Sequence, residues 1–266
     1  MSTASAPAAK PLKIVHEPHV YLVGRQTVDA GEIERFLGDH GATWSTDTEV
    51  GGERLAEIAG RVCYMSYGKG RKTNAEFLGH IVEVGHGSVL EHAVWSFVFT
   101  GVSRSFTHEL IRHRHFSYSQ LSQRYVDESD SDYVEPDVIA GDPALHAVWA
   151  EAVNAARVAY DRLVEGLQEK FADQPDKTLR RKLARQAARS VLPNATETKI
   201  FVTANARALR HFIELRGSEH ADVEIRKVAV EVLRIMQAES PSIFSDYELV
   251  RLPDGSFATR TAHPKV

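Results

Sequence analysis

The sequence predicts an α+β fold. Strand-like and helix-like stretches follow one another without the regular strand-then-helix alternation of a parallel α/β sheet, and the helical stretches differ widely in length. The composition, 43% hydrophobic and 26% charged, is that of an ordinary globular chain, and 266 residues suffice to bury a sizeable core.

Taken in order, residues 1–11 are rich in Ala, Ser and Pro and read as a flexible tail ahead of one domain over 12–266. Residues 12–23 mix apolar side chains with His16, Pro18 and His19, an edge-strand pattern. A short helix is expected over 31–39 and another over 53–64, where Leu55, Ile58, Ala59 and Val62 recur at helical spacing. The run 68–73 lacks the glycine spacing of a phosphate loop and reads as a basic solvated loop. Asn74 is placed to cap a helix with the apolar stripe Phe77, Ile81 and Val84, ending near Gly85 and Gly87. The strand at 93–100 is the most apolar and is far too short to cross a membrane.

The stretch 101–125 begins as a helix. Ser103 can cap it, Phe106 and Leu110 share one face, and Arg104, His108 and Arg112 recur along another. Residues 127–142 are acidic, carry two prolines and read as a surface loop. A long helix over 143–171 carries the stripe Leu145, Val148, Ala152, Ala156, Leu163 and Leu167, as scaffold or subunit interface. The next, over 176–191, sets Arg181, Arg185 and Arg189 four residues apart and ends before Pro193. A strand over 196–203, a helix over 205–215 and a helix over 220–238 with Val223, Val228, Val232 and Met236 inward follow; Pro241 stops the last. Pro253, Asp254 and Gly255 mark a hairpin.

The net charge of −4 argues against a protein that coats nucleic acid or acidic membrane, so basic patches must be local. The one cysteine, Cys63, excludes an intrachain disulfide and a cysteine zinc site and suits a reducing, cytoplasmic compartment. Within its apolar helix it reads as core.

Chemistry concentrates between Arg112 and Arg124, where three guanidiniums stand among serine hydroxyls. Planar guanidiniums grip phosphate or carboxylate through charge-assisted bonds of about 1.5–3 kcal/mol, so this is a site for anions. His113 and His115 form an H-x-H pair, but flanking arginines repel a cation and no acidic or thiol ligand stands at matching spacing; no metal site is expected. Asn205, Arg207 and His211 sit at a helix start, where free N–H groups favour anions, although an ordinary polar helix start has the same look. Arg181, Lys182, Arg185 and Arg189 fit a solvated face as well as a phosphate site, and Arg216 fits a helix-ending cation. On residues alone, three readings stand open: an enzyme for an anionic nucleotide, a non-catalytic RNA- or nucleotide-binding module, and a metal hydrolase built on the histidines.

The run Arg112, His113, Arg114, then seven residues, then Ser122 resembles the signature of the flavin-dependent thymidylate synthases. The stretches 103–125, 191–212 and 216–226 are similar to the same family, and the likeness runs over 61–239. The resemblance implies an antiparallel twisted sheet flanked by helices, in a homotetramer whose active sites are shared between subunits. It implies reductive methylation of dUMP to dTMP with bound FAD, NADPH and methylenetetrahydrofolate. For dUMP it points to Glu109, Leu110, Ile111, Arg112, Gln120, Leu121, Ser122, Gln123, Arg124 and Arg189. For FAD it points to Ser88, Arg112, His113, Arg114, Gln120, Asn205, Ala206, Arg207 and His211, with Lys182 and Arg185 as candidates for the pyrophosphate. Many family members carry Glu where this chain has Gln120, which keeps hydrogen bonding but not charge. Arg216 matches the arginine that activates the substrate, and no enzyme nucleophile is expected, Cys63 included. There is no GxGxxG, so FAD would not be held in the Rossmann manner.

Overall fold

The computed structural model describes residues 11–266; except for Pro11, the expected tail over 1–11 lies outside them. In chain order the elements are β1 (Lys13–Val15), β2 (His19–Arg25), α1 (Ala30–Asp39), α2 (Gly51–Tyr64), α3 (Asn74–Glu83), α4 (Gly87–Leu90), β3 (Val94–Ser103), α5 (Arg104–Leu110) and β4 (Ser117–Gln120). The chain continues through β5 (Asp132–Val134), α6 (Asp137–Ala140), α7 (Pro143–Lys170), α8 (Lys177–Ala188), a 3-10 turn (Arg189–Val191), β6 (Glu197–Asn205) and α9 (Ala206–Arg216). It closes with α10 (Val223–Glu239), α11 (Pro241–Phe244), β7 (Tyr247–Arg251) and β8 (Phe257–Thr261). The α+β class is borne out: a four-stranded sheet in the order β2-β3-β6-β4 stands beside two two-stranded ones. The pairs β2/β3 and β7/β8 are antiparallel, and β1/β5 is parallel. The predicted hairpin is β7/β8, and no helix among the described residues is long and apolar enough to cross a membrane.

Two compact units interleave in sequence. The first comprises residues up to Glu17, Gly101–Ser105 and Gln120–Lys199; the second comprises Pro18–Thr100, Phe106–Ser119 and Ile200–Val266.

In the first unit, α7 buries Val153, Arg157, Tyr160 and Val164, and Tyr160 and Val164 pack with Ala188 of α8. This corrects the expected stripe, because Leu145 is 51% exposed, Val148 67% and Leu163 39%. The helix presents Tyr160 inward, and a face chosen by counting aliphatics alone misses an aromatic and an arginine stem. The acidic segment is not simply a surface loop. It contains β5 and α6, and it buries Glu128 and Glu135. Glu128 accepts from the Ser131 hydroxyl, its N–H donates to the Tyr160 hydroxyl at 3.3 Å, and burial raises its pKa. Glu135 is paired with His146 at 2.8 Å.

In the second unit, β2 and β3 run with one register break between Leu22 and Gly24, where any Cβ on Gly24 would press on the Ser96 side chain. Trp95, Phe97 and Phe99 of β3 alternate into the core, joined by Phe212 and Ile213 of α9 and by Val228, Val232 and Met236 of α10. Val223, expected inward with them, is 40% exposed because it is the first residue after the Asp222 cap. Thr73, not Asn74, caps α3, in a capping box with Glu76. Asn74 is itself buried, its amide donating to Glu57 Oε2 at 2.8 Å. The basic run after α2 is exposed over 68–72, as expected of a solvated loop, and its backbone is held from beneath: buried Arg61 binds Glu57 at 2.7 Å and donates to the carbonyls of Ser66, Lys69 and Arg71. Cys63, expected in the core, is exposed; α2 turns its opposite face, with Ala56 and Gly60, inward.

Candidate active site

The second unit holds a cleft of about 600 Å³ whose charged wall side chains are cationic but for one. Arg112, Arg114, Arg207, Arg216 and Lys265 line it together with the imidazoles of His113, His115 and His211, and Glu91 is the one carboxylate among the lining side chains.

Helix α9 supplies much of that wall. Asn205 ends β6 and caps the helix, its side chain accepting from the Ala208 N–H at 2.8 Å, while the Ala206 N–H is taken by the Ala93 carbonyl at 2.8 Å. Ala206 is buried; Arg207 and His211, one turn apart, face outward into the cleft. The Arg207 stem packs over Gly87, where a Cβ would lie 2.8 Å from Nε, and its head pairs with Glu91 at 2.6 Å. Ser88 is exposed on α4 and does not line the cleft.

The opposite wall is the turn after α5. The helix stops at Leu110, so Arg112 leaves the predicted row with Arg104 and His108 and enters a tight turn, its N–H bonded to the Glu109 carbonyl at 3.2 Å. The Tyr118 hydroxyl closes this turn, shared between the carbonyls of Leu110 (2.7 Å) and His113 (2.8 Å). Burial raises its pKa, so it stays a donor. Arg112 and Arg114 are exposed at the cleft, Ile111 is exposed at 49% outside it, and Leu110 is buried.

Where the walls meet, Arg216 ends α9 against Gly217. A Cβ on Gly217 would overlap the Thr259 hydroxyl, and the Thr259 N–H donates to the Gly217 carbonyl at 2.7 Å, so β8 clamps the helix end. Arg216 Nη1 donates to Glu109 Oε2 at 2.7 Å, Nη2 to the Glu109 carbonyl at 3.4 Å, and Nε to His113 Nε2 at 3.2 Å. His113 is 7% exposed, packed against Phe116 and Phe212. Burial first, then the charges of Arg216 and His211, draw its pKa down to about 4. It is therefore a neutral imidazole whose Nε2 accepts and whose hydrogen sits on Nδ1.

The other predicted residues belong to the first unit. Leu121 extends from β4 by its N–H to the Lys199 carbonyl at 2.9 Å, and Gln120 donates to Thr198 at 3.4 Å. Ser122 begins a turn, its carbonyl accepting from the N–H groups of Tyr125 and Val126, with Gln123 buried and Arg124 half-buried. Arg124 Nε is buried without a protein partner, an orphaned donor. Arg185 is held by the Tyr125 carbonyl and Asp127, both at 2.7 Å, and Lys182 lies over the Tyr125 ring at 4.8 Å. Arg189 is half-buried in the 3-10 turn. Burial lowers the pKa of Arg104, Glu128 counters this, and the Arg189 charge adds to it.

Sequence reasoning missed Glu91, Lys265 and Val266 as cleft residues. Lys265 holds a left-handed φ of 67°, and its N–H is fixed by Glu214 at 2.9 Å. No motif marks such a residue; only the return of the chain to α9 reveals it.

The profile of the thymidylate synthase complementing protein family matches residues 46–242. The chain is 57% identical over 224 residues to the flavin-dependent thymidylate synthase of Mycobacterium avium (strain 104), covering 83% of this chain and 89% of that one. It is 58% identical over 224 residues, with the same shares, to the one of Mycobacterium tuberculosis (strain ATCC 25618 / H37Rv). It is 59% identical over 216 residues to that of Mycolicibacterium vanbaalenii, covering 80% and 86%. Among solved structures, the UMP/dUMP methylase PolB from Streptomyces cacaoi, bound with 5-Br UMP, has a similar fold, with a TM-score of 0.63 at 21% identity over 89% of this chain and 96% of that one. With more than half its length matched by the profile and with relatives this similar over most of their length, the chain belongs to the flavin-dependent thymidylate synthase family.

Proposed function

We propose that this chain catalyses the reductive methylation of dUMP to dTMP, with FAD as cofactor and NADPH and methylenetetrahydrofolate as co-substrates. The observation that carries the reading is the cationic cleft, in which Arg112, Arg114, Arg207 and Lys265 are exposed and Arg216 stands half-exposed at the meeting of the walls. Such a wall suits the phosphates of two nucleotides, and the donor set fits FAD: guanidiniums for a pyrophosphate, a helix start capped by Asn205, and Gly87 leaving room for the Arg207 stem. Ser88, Arg112, His113, Arg114, Gln120, Asn205, Ala206, Arg207 and His211 would hold the cofactor. When bound, FAD supplies the transfer of hydride and of the one-carbon unit to uracil. Glu109, Leu110, Ile111, Arg112, Gln120, Leu121, Ser122, Gln123, Arg124 and Arg189 would bind dUMP, and the orphaned Nε of Arg124 suits a phosphate oxygen.

Arg216 is the catalytic group in this reading. Its unengaged N–H groups stabilise the negative charge that develops on the pyrimidine as the ring becomes electron-rich, and such a preorganised donor is worth about 2.7–4 kcal/mol. No thiol takes part: Cys63 is exposed on α2 and does not line the cleft. The protein's contribution is position and charge. We extend the proposal to a homotetramer in the cytoplasm, with sites shared between subunits.

The test is an absorption spectrum of the purified protein, followed by dTMP formation from dUMP. A yellow protein that makes dTMP only with NADPH and methylenetetrahydrofolate supports the reading. A protein that binds nucleotides yet takes up no flavin overturns it.

A further inference from the structure

The contacts around Arg216 assign a task to two neighbours beyond ligand binding, in an argument that rests on the role just proposed for that arginine. Guanidinium Nε is bonded to His113 Nε2 at 3.2 Å, and Nη1 to Glu109 Oε2 at 2.7 Å. These directions fix the plane of the fork, since Arg has three nitrogens in one rigid plane. His113 cannot swing away from this duty: it is 7% exposed, stacked on Phe116 with ring centroids 5.6 Å apart and edge-on to Phe212 at 5.2 Å. The turn that carries it is closed by Tyr118. We propose that His113 and Glu109 are positioning residues, which bracket Arg216 from two sides so that its remaining Nη hydrogens face the cleft in one orientation.

The neutrality of His113 is part of the arrangement. A protonated imidazole would present N–H to N–H and lose the contact, and burial beside Arg216 and His211 keeps it unprotonated. Glu109 has a second effect, supplying a counter-charge at 2.7 Å that lets the arginine stay half-buried when the cleft is empty. Its carboxylate is 34% exposed, so it can rearrange where His113 cannot.

A pair of polar, size-matched substitutions separates positioning from mere packing. Glutamine reaches about as far as Nε2 of histidine, whereas the oxygen of asparagine stops near Nδ1. Per bound flavin, His113→Asn is expected to have a kcat about 10- to 100-fold below that of His113→Gln, as for a misplaced catalytic group. Because His113 is also among the residues proposed to hold FAD, flavin content is measured in both variants and turnover is expressed per bound flavin; KM for dUMP is expected to move less than kcat. Equal kcat in the two variants, or a loss confined to KM or to flavin content, overturns the proposal. Repeating His113→Asn in an Arg216→Ala background completes a double-mutant cycle. No further loss is expected, because His113 acts through the arginine; a full additional loss overturns the bracket. Parental turnover in Arg216→Ala alone would instead remove the arginine from catalysis and so refute the underlying reading, a result distinct from both.

Discussion

Of the three arginines of helix α9, Arg210 and Arg216 have opposite fates. Arg210 has a side chain 1% exposed, with Asp246 gripping both Nη atoms at 2.6 and 2.8 Å. The carbonyls of Ile243 and His263 accept further bonds, and the Tyr247 ring lies 4.9 Å from its guanidinium carbon. Arg216 has a side chain 19% exposed, one carboxylate at 2.7 Å and a cleft before it. Both belong to ion pairs, yet Arg210 is enclosed by protein and ties β7 and the last residues to the helix, while Arg216 keeps donors for a ligand. An ion pair therefore does not separate structure from catalysis, and neither does a left-over donor, since Arg210 Nε is buried without a partner; a place on the cleft wall, which Arg216 has and Arg210 lacks, does.

The largest expected effect comes from breaking the enclosed pair. Arg210→Met should lower unfolding free energy by about 3–5 kcal/mol, because Asp246 is left as a largely buried charge without its partner. A denaturant midpoint measures this, and a loss below about 1 kcal/mol would mean that Arg210 is no better anchored than a surface arginine.

Acid separates the two sites next. Burial alone would raise the Asp246 carboxyl, but its hydrogen bonds and attraction to Arg210 hold it below the usual carboxylate range. Its contribution is present above the unfolded pKa near 3.8 and is lost only as pH falls through a still lower value. His113 has a folded pKa of about 4 against 6.5 unfolded, so the unfolded chain binds the extra proton between those values. Stability tied to His113 is present in full above pH 6.5 and declines towards pH 4, by about 3 kcal/mol at most. Urea titrations from pH 7 to pH 4 should show that decline, and His113→Gln should flatten it.

Smaller effects follow outside the enclosed region. Arg216→Ala should change stability by no more than about 1 kcal/mol, as expected of a partly solvated pair, even though it removes an arginine from the same helix as Arg210. Cys63→Ala should be within about 0.5 kcal/mol of the parent and leave turnover unchanged, since the thiol is exposed on α2. Loss of dTMP formation in that variant would restore sulfur to the mechanism.

The comparison also marks where the sequence is legible. Arg112, Arg114 and Arg216 stand out because local spacing and family likeness act on neighbouring residues, and the helix start at Asn205 and the stops before Pro193 and Pro241 are equally local. Arg210 has nothing to announce it: in the helix pattern it is one more polar residue, and its partners arrive from Ile243, Asp246 and His263. The same distance hides Lys265 and Glu91 from any motif. Where single residues misled, the cause was tertiary. Cys63 has an apolar neighbourhood in sequence but lies on the outer face of α2, and the acidic segment before α7 looks solvated until Glu128 and Glu135 are seen buried against Tyr160 and His146.

The most direct test measures release of tritium from 5-tritiated dUMP by Arg216→Ala loaded with FAD. The account predicts a yellow, folded enzyme whose release is 10²- to 10³-fold slower than the parent, about 2.7–4 kcal/mol of lost transition-state stabilisation. Release at the parental rate with FAD bound would contradict it.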